Sequence, residues 1–174
     1  MCPCLSGIPD NPVDFPYSVA ALLPQSQGMV LLDRVVEVGE NHIVAELTVR
    51  DDGLFSNHDH TVPAWVGIEY MAQAIAAFSG YHRKCRGEEI GLGFLVGTRH
   101  YLCSVGCFPH GKRLRVRAKK IIEAANEMSV FDCAIESDKI HAVSKLNVLL
   151  PQDYKKFLAG KGIDEPKNHP SHRI

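Results

Sequence analysis

The sequence predicts an α+β domain in which an antiparallel sheet wraps around one long central helix. Three observations carry that expectation. Residues 63–82 are apolar or small on almost every helical face, the mark of a buried helix in a soluble protein. On either side of them, apolar and polar residues alternate with a period of two, as half-buried strands do. Finally, 174 residues, 45% hydrophobic and 22% charged, suffice for one sizeable core but not for two ordinary domains. A set of strands around a single helix is an α+β arrangement.

Residues 1–21, with Pro3, Pro9, Pro12 and Pro16, read as an irregular lead-in to a domain over 22–150. One or two helical turns fit within 17–23, ahead of Pro24. Residues 29–38 are rich in β-branched side chains and read as a strand. A second strand spans 41–50, with Ile43, Ala45, Leu47 and Val49 on one side, and 39–41 form the turn between them. Residues 51–61 make a polar loop anchored by Phe55. Thr61 can then cap the central helix, and Pro63 suits its first turn. About 20 residues at 1.5 Å each give this helix a length of ~30 Å. After a polar connector, residues 92–103 form a strand and Phe108-Pro109-His110-Gly111 a turn. Residues 112–122 alternate, with Leu114, Val116 and Ala118 on one face. Residues 128–136 and 139–150 form a further pair joined at Ser137-Asp138. Residues 151–174 are a polar tail with a short helix at 154–158. One sheet cannot cover both faces of such a helix, so two sheets joined edge to edge are expected to close the structure.

The formal net charge of −1 supplies no global positive field, so nucleic acid is not an expected partner. Apolar stretches are interrupted well short of the ~20 residues of a membrane span. Residues 1–12 lack the basic and apolar regions of a signal peptide. A cytoplasmic protein with reduced thiols at its six cysteines follows. Cys103 and Cys107 lie near His100 and His110, but a zinc site would need a second paired set. Gly91, Gly93 and Gly97 miss the spacing of a dinucleotide loop and lead into a strand. Neither a metal nor a cofactor is expected.

Glu69 stands out, because it sits in the least polar helix of the chain. Trp65 and Gln73, four residues to either side, share its helical face. A carboxylate in such surroundings must be paired, hydrogen-bonded or protonated. Desolvation favours the protonated form that a general acid requires. Just ahead of the helix, His58-Asp59-His60 offers an imidazole base, and equally reads as an ordinary polar loop. Arg113, Arg115 and Arg117 project from one strand face along a line of about 13 Å. They form either a solvated face or a docking patch for an acidic partner.

The chain resembles the 3-hydroxyacyl-[acyl carrier protein] dehydratases from about residue 22 to 150. The resemblance is carried by Leu23-Pro24, Met29-Val30-Leu31-Leu32-Asp33-Arg34-Val35, Gly93-Phe94-Leu95-Val96-Gly97-Thr98-Arg99 and Pro109-His110-Gly111-Lys112. Its most specific part is Pro63-Ala64-Trp65-Val66-Gly67-Ile68-Glu69-Tyr70-Met71-Ala72-Gln73. That wording is similar to the dehydratase-like branch of aryl-polyene lipid clusters.

The resemblance implies a hotdog fold, dimeric through its sheets, acting on 3-hydroxyacyl thioesters to give trans-2-enoyl thioesters. It places Glu69 at the family's acid and Ala64 at the helix start whose N–H binds the thioester carbonyl. Trp65, Gln73 and His58 join Ala64 as expected substrate contacts. The partners implied are acyl carrier protein or another acyl thioester, and a homodimer or a heterodimer with a second hotdog chain. The family's catalytic histidine lies fourteen residues before the acid, where this chain has Phe55. His60 is therefore the expected base. An acyl-CoA thioesterase using Glu69 with water, and a non-catalytic hotdog subunit paired with an active dehydratase, remain alternatives.

Overall fold

Alternation along one strand shows how the core is built. In β6 (Arg113–Glu123) Leu114, Val116 and Ala118 are completely buried, while Arg113, Arg115, Arg117 and Lys119 face outward. The same two-residue period runs through β2 (His42–Thr48), β7 (Met128–Glu136) and β8 (His141–Leu149). With β1 (Arg34–Val38) and β4 (Phe94–Cys103) they form a six-stranded antiparallel sheet in the order β1-β2-β6-β7-β8-β4. These facts come from a computed structural model that describes residues 15–24, 27–51 and 53–160.

The inner face of the sheet packs on α1 (Gly67–Cys85), whose Met71, Ala74, Ile75, Ala77 and Phe78 are buried. Each large apolar side chain so buried contributes about 1.5–3 kcal/mol. Two glycines allow close approach. A Cβ on Gly67 would lie 3.0 Å from Ile135 Cδ1 and 3.2 Å from Phe108 Cζ, and would collide with the Tyr101 hydroxyl. A Cβ on Gly80 would collide with the carbonyl of Leu22, just after the 3₁₀ turn Val19–Ala21.

Four expectations are corrected. The first strand begins at Arg34 rather than 29, and Gln27–Met29 form a 3₁₀ turn. The reason is tertiary: the Leu31 N–H and the Met29 carbonyl bond to the Gln73 side chain instead of a neighbouring strand. Thr61 does not cap the helix. It opens β3 (Thr61–Pro63), which pairs with β5 (Cys107–Pro109), and its hydroxyl donates to Asp59 at 2.6 Å. The helix itself starts later, at Gly67, after a 3₁₀ turn over Ala64–Val66. Phe108 and Pro109, read as turn residues, belong to β5, and Phe108 is completely buried.

Residues 151–160 dock onto the domain. Arg83 donates to the carbonyls of Pro151 and Gln152 at 2.8 and 2.6 Å, and Phe157 of α2 (Tyr154–Gly160) packs on Phe94 at 5.6 Å. Cys103, Cys107 and Cys133 are free thiols, whereas Cys2 and Cys4 lie outside the described residues. No described helix is long and apolar enough to cross a membrane.

Candidate active site

The carboxylate singled out in the helix is held by its expected neighbour. Glu69 lies in the first turn of α1 and is half-buried. Gln73, one helical turn on, is completely buried and donates from Nε2 to Glu69 Oε1 at 2.9 Å. The same Nε2 donates to the Met29 carbonyl at 2.7 Å, and Gln73 Oε1 accepts from the Leu31 N–H at 2.9 Å. Both donors and the acceptor of this amide are used, so its orientation is fixed. One carboxylate oxygen is thereby engaged as an acceptor, which leaves Oε2 as the oxygen able to carry a transferable proton.

His60 sits in the loop entering β3, with φ 59°. Histidine is among the few residues that tolerate this left-handed region. Three bonds hold it there. Its N–H donates to Asn57 at 3.2 Å, its carbonyl accepts from the His110 N–H at 3.1 Å, and its Nδ1 lies 2.9 Å from Asp51 Oδ2. His110 Nδ1 is 3.5 Å from the other oxygen of Asp51. The hydrogen bond from His60 is the main cause that holds the Asp51 carboxyl below its usual range, with the His110 charge adding to it. His60 Nε2 faces away from this contact. Within the chain, no hydrogen bond or ion pair among the described residues joins His60 to Glu69. His58 is exposed on the same loop.

The helix start departs from expectation at two residues. The Ala64 N–H, assigned by resemblance to the thioester carbonyl, donates to the Gly106 carbonyl at 2.9 Å. Gly106 directly precedes β5, so this bond continues the β3–β5 pairing and occupies the donor. The next backbone donor along the turn is the Trp65 N–H. Trp65 does not stack along the helix over Glu69. It belongs to the 3₁₀ turn, is 59% exposed, and meets Phe55 edge to face at 5.9 Å. Phe55 is thus the loop anchor that was expected.

Tyr101 was not foreseen. Its hydroxyl donates to the Ala64 carbonyl at 2.6 Å, and burial pushes its pKa up, so it stays protonated. Asp51 and His110 were also missed. The signal for Tyr101 was a polar-tipped aromatic in an alternating strand. Asp51 and His110 carried none, because their meeting depends on the return of the chain at Gly111.

The arginines of β6 do share one exposed face, but acidic residues flank it. Arg115 stands between Glu46 of β2 and Glu136 of β7, and its Nε is 4.0 Å from Glu46. Arg113 lies opposite Thr48, near the loop that carries Asp51. Arg117 stands between Val44 and Ala134, both buried on the outer face.

Residues 17–159 match the family model described as ApeP-like, ApeP dehydratase. The chain belongs to the ApeP-like dehydratase family. Its hotdog architecture also matches the solved dehydratase heterocomplex ApeI:P from Xenorhabdus doucetiae. That match has 33% identity and a TM-score of 0.74, and covers 82% of this chain and 97% of that one. A sigma28-regulated virulence protein from Campylobacter jejuni matches at 12% identity and TM-score 0.51, covering 78% of this chain and 89% of that one. An uncharacterised protein from Pyrococcus horikoshii matches at 12% identity and TM-score 0.51, covering 79% and 96%. These two distant likenesses bear on the fold alone. No curated protein matches. In this ApeP-like chain Glu69 and Gln73 of the helix motif are joined directly by a hydrogen bond.

Proposed function

We propose that this chain dehydrates 3-hydroxyacyl thioesters of acyl carrier protein to trans-2-enoyl thioesters, in aryl-polyene-type lipid synthesis, as one half of a hotdog pair. The observation that carries the reading is the Glu69 carboxylate fixed by the buried Gln73 amide. A base removes the C2 proton, the C2–C3 double bond forms, and the C3–O bond breaks. Glu69 Oε2 donates its proton to the departing hydroxyl, which leaves as water. The Trp65 backbone N–H, the next donor after the occupied Ala64 N–H, stabilises the negative charge developing on the thioester oxygen.

His60 is the proposed base. The Asp51 contact at Nδ1 orients the ring and leaves Nε2 as its proton acceptor. Because His60 and Glu69 make no contact within one chain, the proposal is that they meet across a subunit interface. The β4 edge supports such pairing, since Leu95, Val96 and Leu102 are 44%, 58% and 66% exposed on a strand that pairs with β8 on one side only. A second reading is favoured by the likeness to a solved heterocomplex: this chain supplies Glu69 and a different hotdog chain supplies the imidazole. The free thiols of Cys103, Cys107 and Cys133 suit a cytoplasmic setting.

Intact-mass analysis of 3-hydroxyacyl-carrier-protein incubated with the pure chain separates these readings. Loss of one water supports a self-sufficient dehydratase. Loss of water only after a second hotdog chain is added supports the heterodimer, and thioester cleavage would favour a thioesterase. Glu69→Gln keeps the size and most of the hydrogen bonding but has no transferable proton. Turnover is expected to vanish in this variant while the fold stays intact, and unchanged turnover removes the acid role.

A further inference from the structure

The segment pinned by Gln73 forms part of the wall of a cavity of about 260 Å³. Val30, Leu31, Leu47, Phe55 and Val62 give it apolar walls, and no carboxylate among the described residues lines it. Thr48 and Ser56 add hydroxyls to the lining, and two larger polar side chains break its apolar character. Arg50, ion-paired with Asp33, lines it with a cation. Tyr70, the residue after Glu69, is only 4% exposed, and among the described residues its hydroxyl has no hydrogen-bond partner. The ring itself is accounted for, since it packs on Phe108 at 5.9 Å. Buried hydroxyls are almost always paired, so an unpaired one on a residue that lines a cavity points to an atom supplied from outside the chain. Burial pushes this phenol up to about 12, so it is a donor at neutral pH. Tyr70 and Arg50 together therefore call for an oxygen acceptor.

The cavity and the acid share a wall. Gln73 holds Glu69 with one amide and, through Met29 and Leu31, fixes the segment whose Gly28, Val30 and Leu31 line the cavity. An apolar cavity of ~150 Å³ takes a benzene ring, so this one has room for a ring or short chain bearing a polar tip. We propose that the cavity receives the far end of the substrate's acyl group and that Tyr70 selects acyl groups carrying an oxygen acceptor there. The inference rests on the dehydratase reading for the identity of the occupant, but not for the existence of the subsite.

p-Cresol and toluene differ by one hydroxyl and make suitable probes, with binding followed by protein-observed NMR. The wild-type chain should bind p-cresol about ten-fold more tightly than toluene, one hydrogen bond's worth. Tyr70→Phe should bring the two within about two-fold while toluene binding is retained. Val30→Phe, which fills the cavity from a half-buried position, should weaken both. An undiminished preference for p-cresol in Tyr70→Phe overturns the proposal, as does binding of neither probe to the wild type. In turnover, a 3-hydroxyacyl thioester ending in a hydroxyphenyl group should outpace its phenyl counterpart in the wild type but not in Tyr70→Phe. Equal rates in the wild type overturn the selection. Failure to dehydrate any thioester, with Tyr70-dependent probe binding intact, supports the subsite and counts against the dehydratase reading alone.

Discussion

Gln73 is the residue on which both the backbone at 29–31 and the Glu69 carboxylate depend. Replacing it with leucine keeps the volume but leaves the Leu31 N–H and the Met29 carbonyl without partners in a half-buried setting. Unsatisfied groups of this kind cost about 1–3 kcal/mol each, so Gln73→Leu should lower stability by about 2–6 kcal/mol in denaturant unfolding. Its turnover should fall further than stability alone explains, because Glu69 loses the amide that orients it. For the base, His60→Ala should reduce turnover by about 10²-fold or more and His58→Ala far less, since only His60 is held by a carboxylate. Equal small effects would move the base to the partner subunit. His82 supplies a pH signature. Burial lowers its pKa, partly offset by its hydrogen bond to the Gly39 carbonyl at 3.2 Å. The unfolded chain therefore binds the His82 proton at a higher pH than the folded chain does. Between the ordinary histidine value and the depressed one, the unfolded state holds more protons, so stability falls as pH falls through that window. His82→Gln should flatten that part of the stability profile, as measured by urea midpoints across pH.

At the scale of elements, α1 is set by two close approaches that differ in kind. The Cβ of Gly67→Ala would meet side-chain atoms, of which the Tyr101 hydroxyl can give way if the whole side chain shifts, at the loss of its bond to Ala64. The Cβ of Gly80→Ala would meet the backbone carbonyl of Leu22, which can retreat only if the turn at 19–21 moves. Alanine gains about 1 kcal/mol of helix propensity at either site, while overpacking costs about 1–3 kcal/mol or more. Gly80→Ala should thus be the more destabilising variant in thermal unfolding, and an increase in Tm for it would contradict the packing described. The same elements show what the sequence made legible. The strands β2, β6, β7 and β8 could be read because one face of each is buried and the other solvated, so the period of two is written in their residues. The segment at 29–33 could not, because it is as apolar as a strand while its backbone is claimed by Gln73, forty-odd residues away. Pairing of β3 with β5 was hidden for a similar reason: three residues are too few to show a period, and Pro63 and Pro109 suggested a helix start and a turn. In the site, Glu69 announced itself by its apolar neighbours. Asp51, His110 and Tyr70 did not, since their roles arise only where separate segments converge.

For the molecule as a whole, the remaining issue is how a carrier protein would approach. The outer face of the sheet carries both signs, with Arg34 and Arg115 close to Glu46 and Glu136 opposite Arg115. Charges so interspersed largely cancel beyond a Debye length of about 8–10 Å, so the face as a whole does not steer an acidic partner. The arginines of β6 are therefore not equivalent. Arg115 is offset by its neighbours. Arg117 stands over Val44 and Ala134 toward the far end of the strand, where its aliphatic stem can shield them. Arg113 lies at the end of β6 nearest the loop of Asp51 and His60, opposite Thr48, and is the arginine nearest in register to the proposed site. A carrier protein delivering its thioester to Glu69 would pass that end. Arg113→Glu should therefore raise KM for the carrier-protein substrate several-fold while sparing small thioester analogues. The effect should shrink as salt is raised, because docking of this kind acts mainly through encounter. Arg115→Glu should change both substrates little, although it places a new acid beside Glu46. If Arg113→Glu and Arg115→Glu behave alike on both substrates across a salt series, the stripe is a solvated strand face and docking uses another surface.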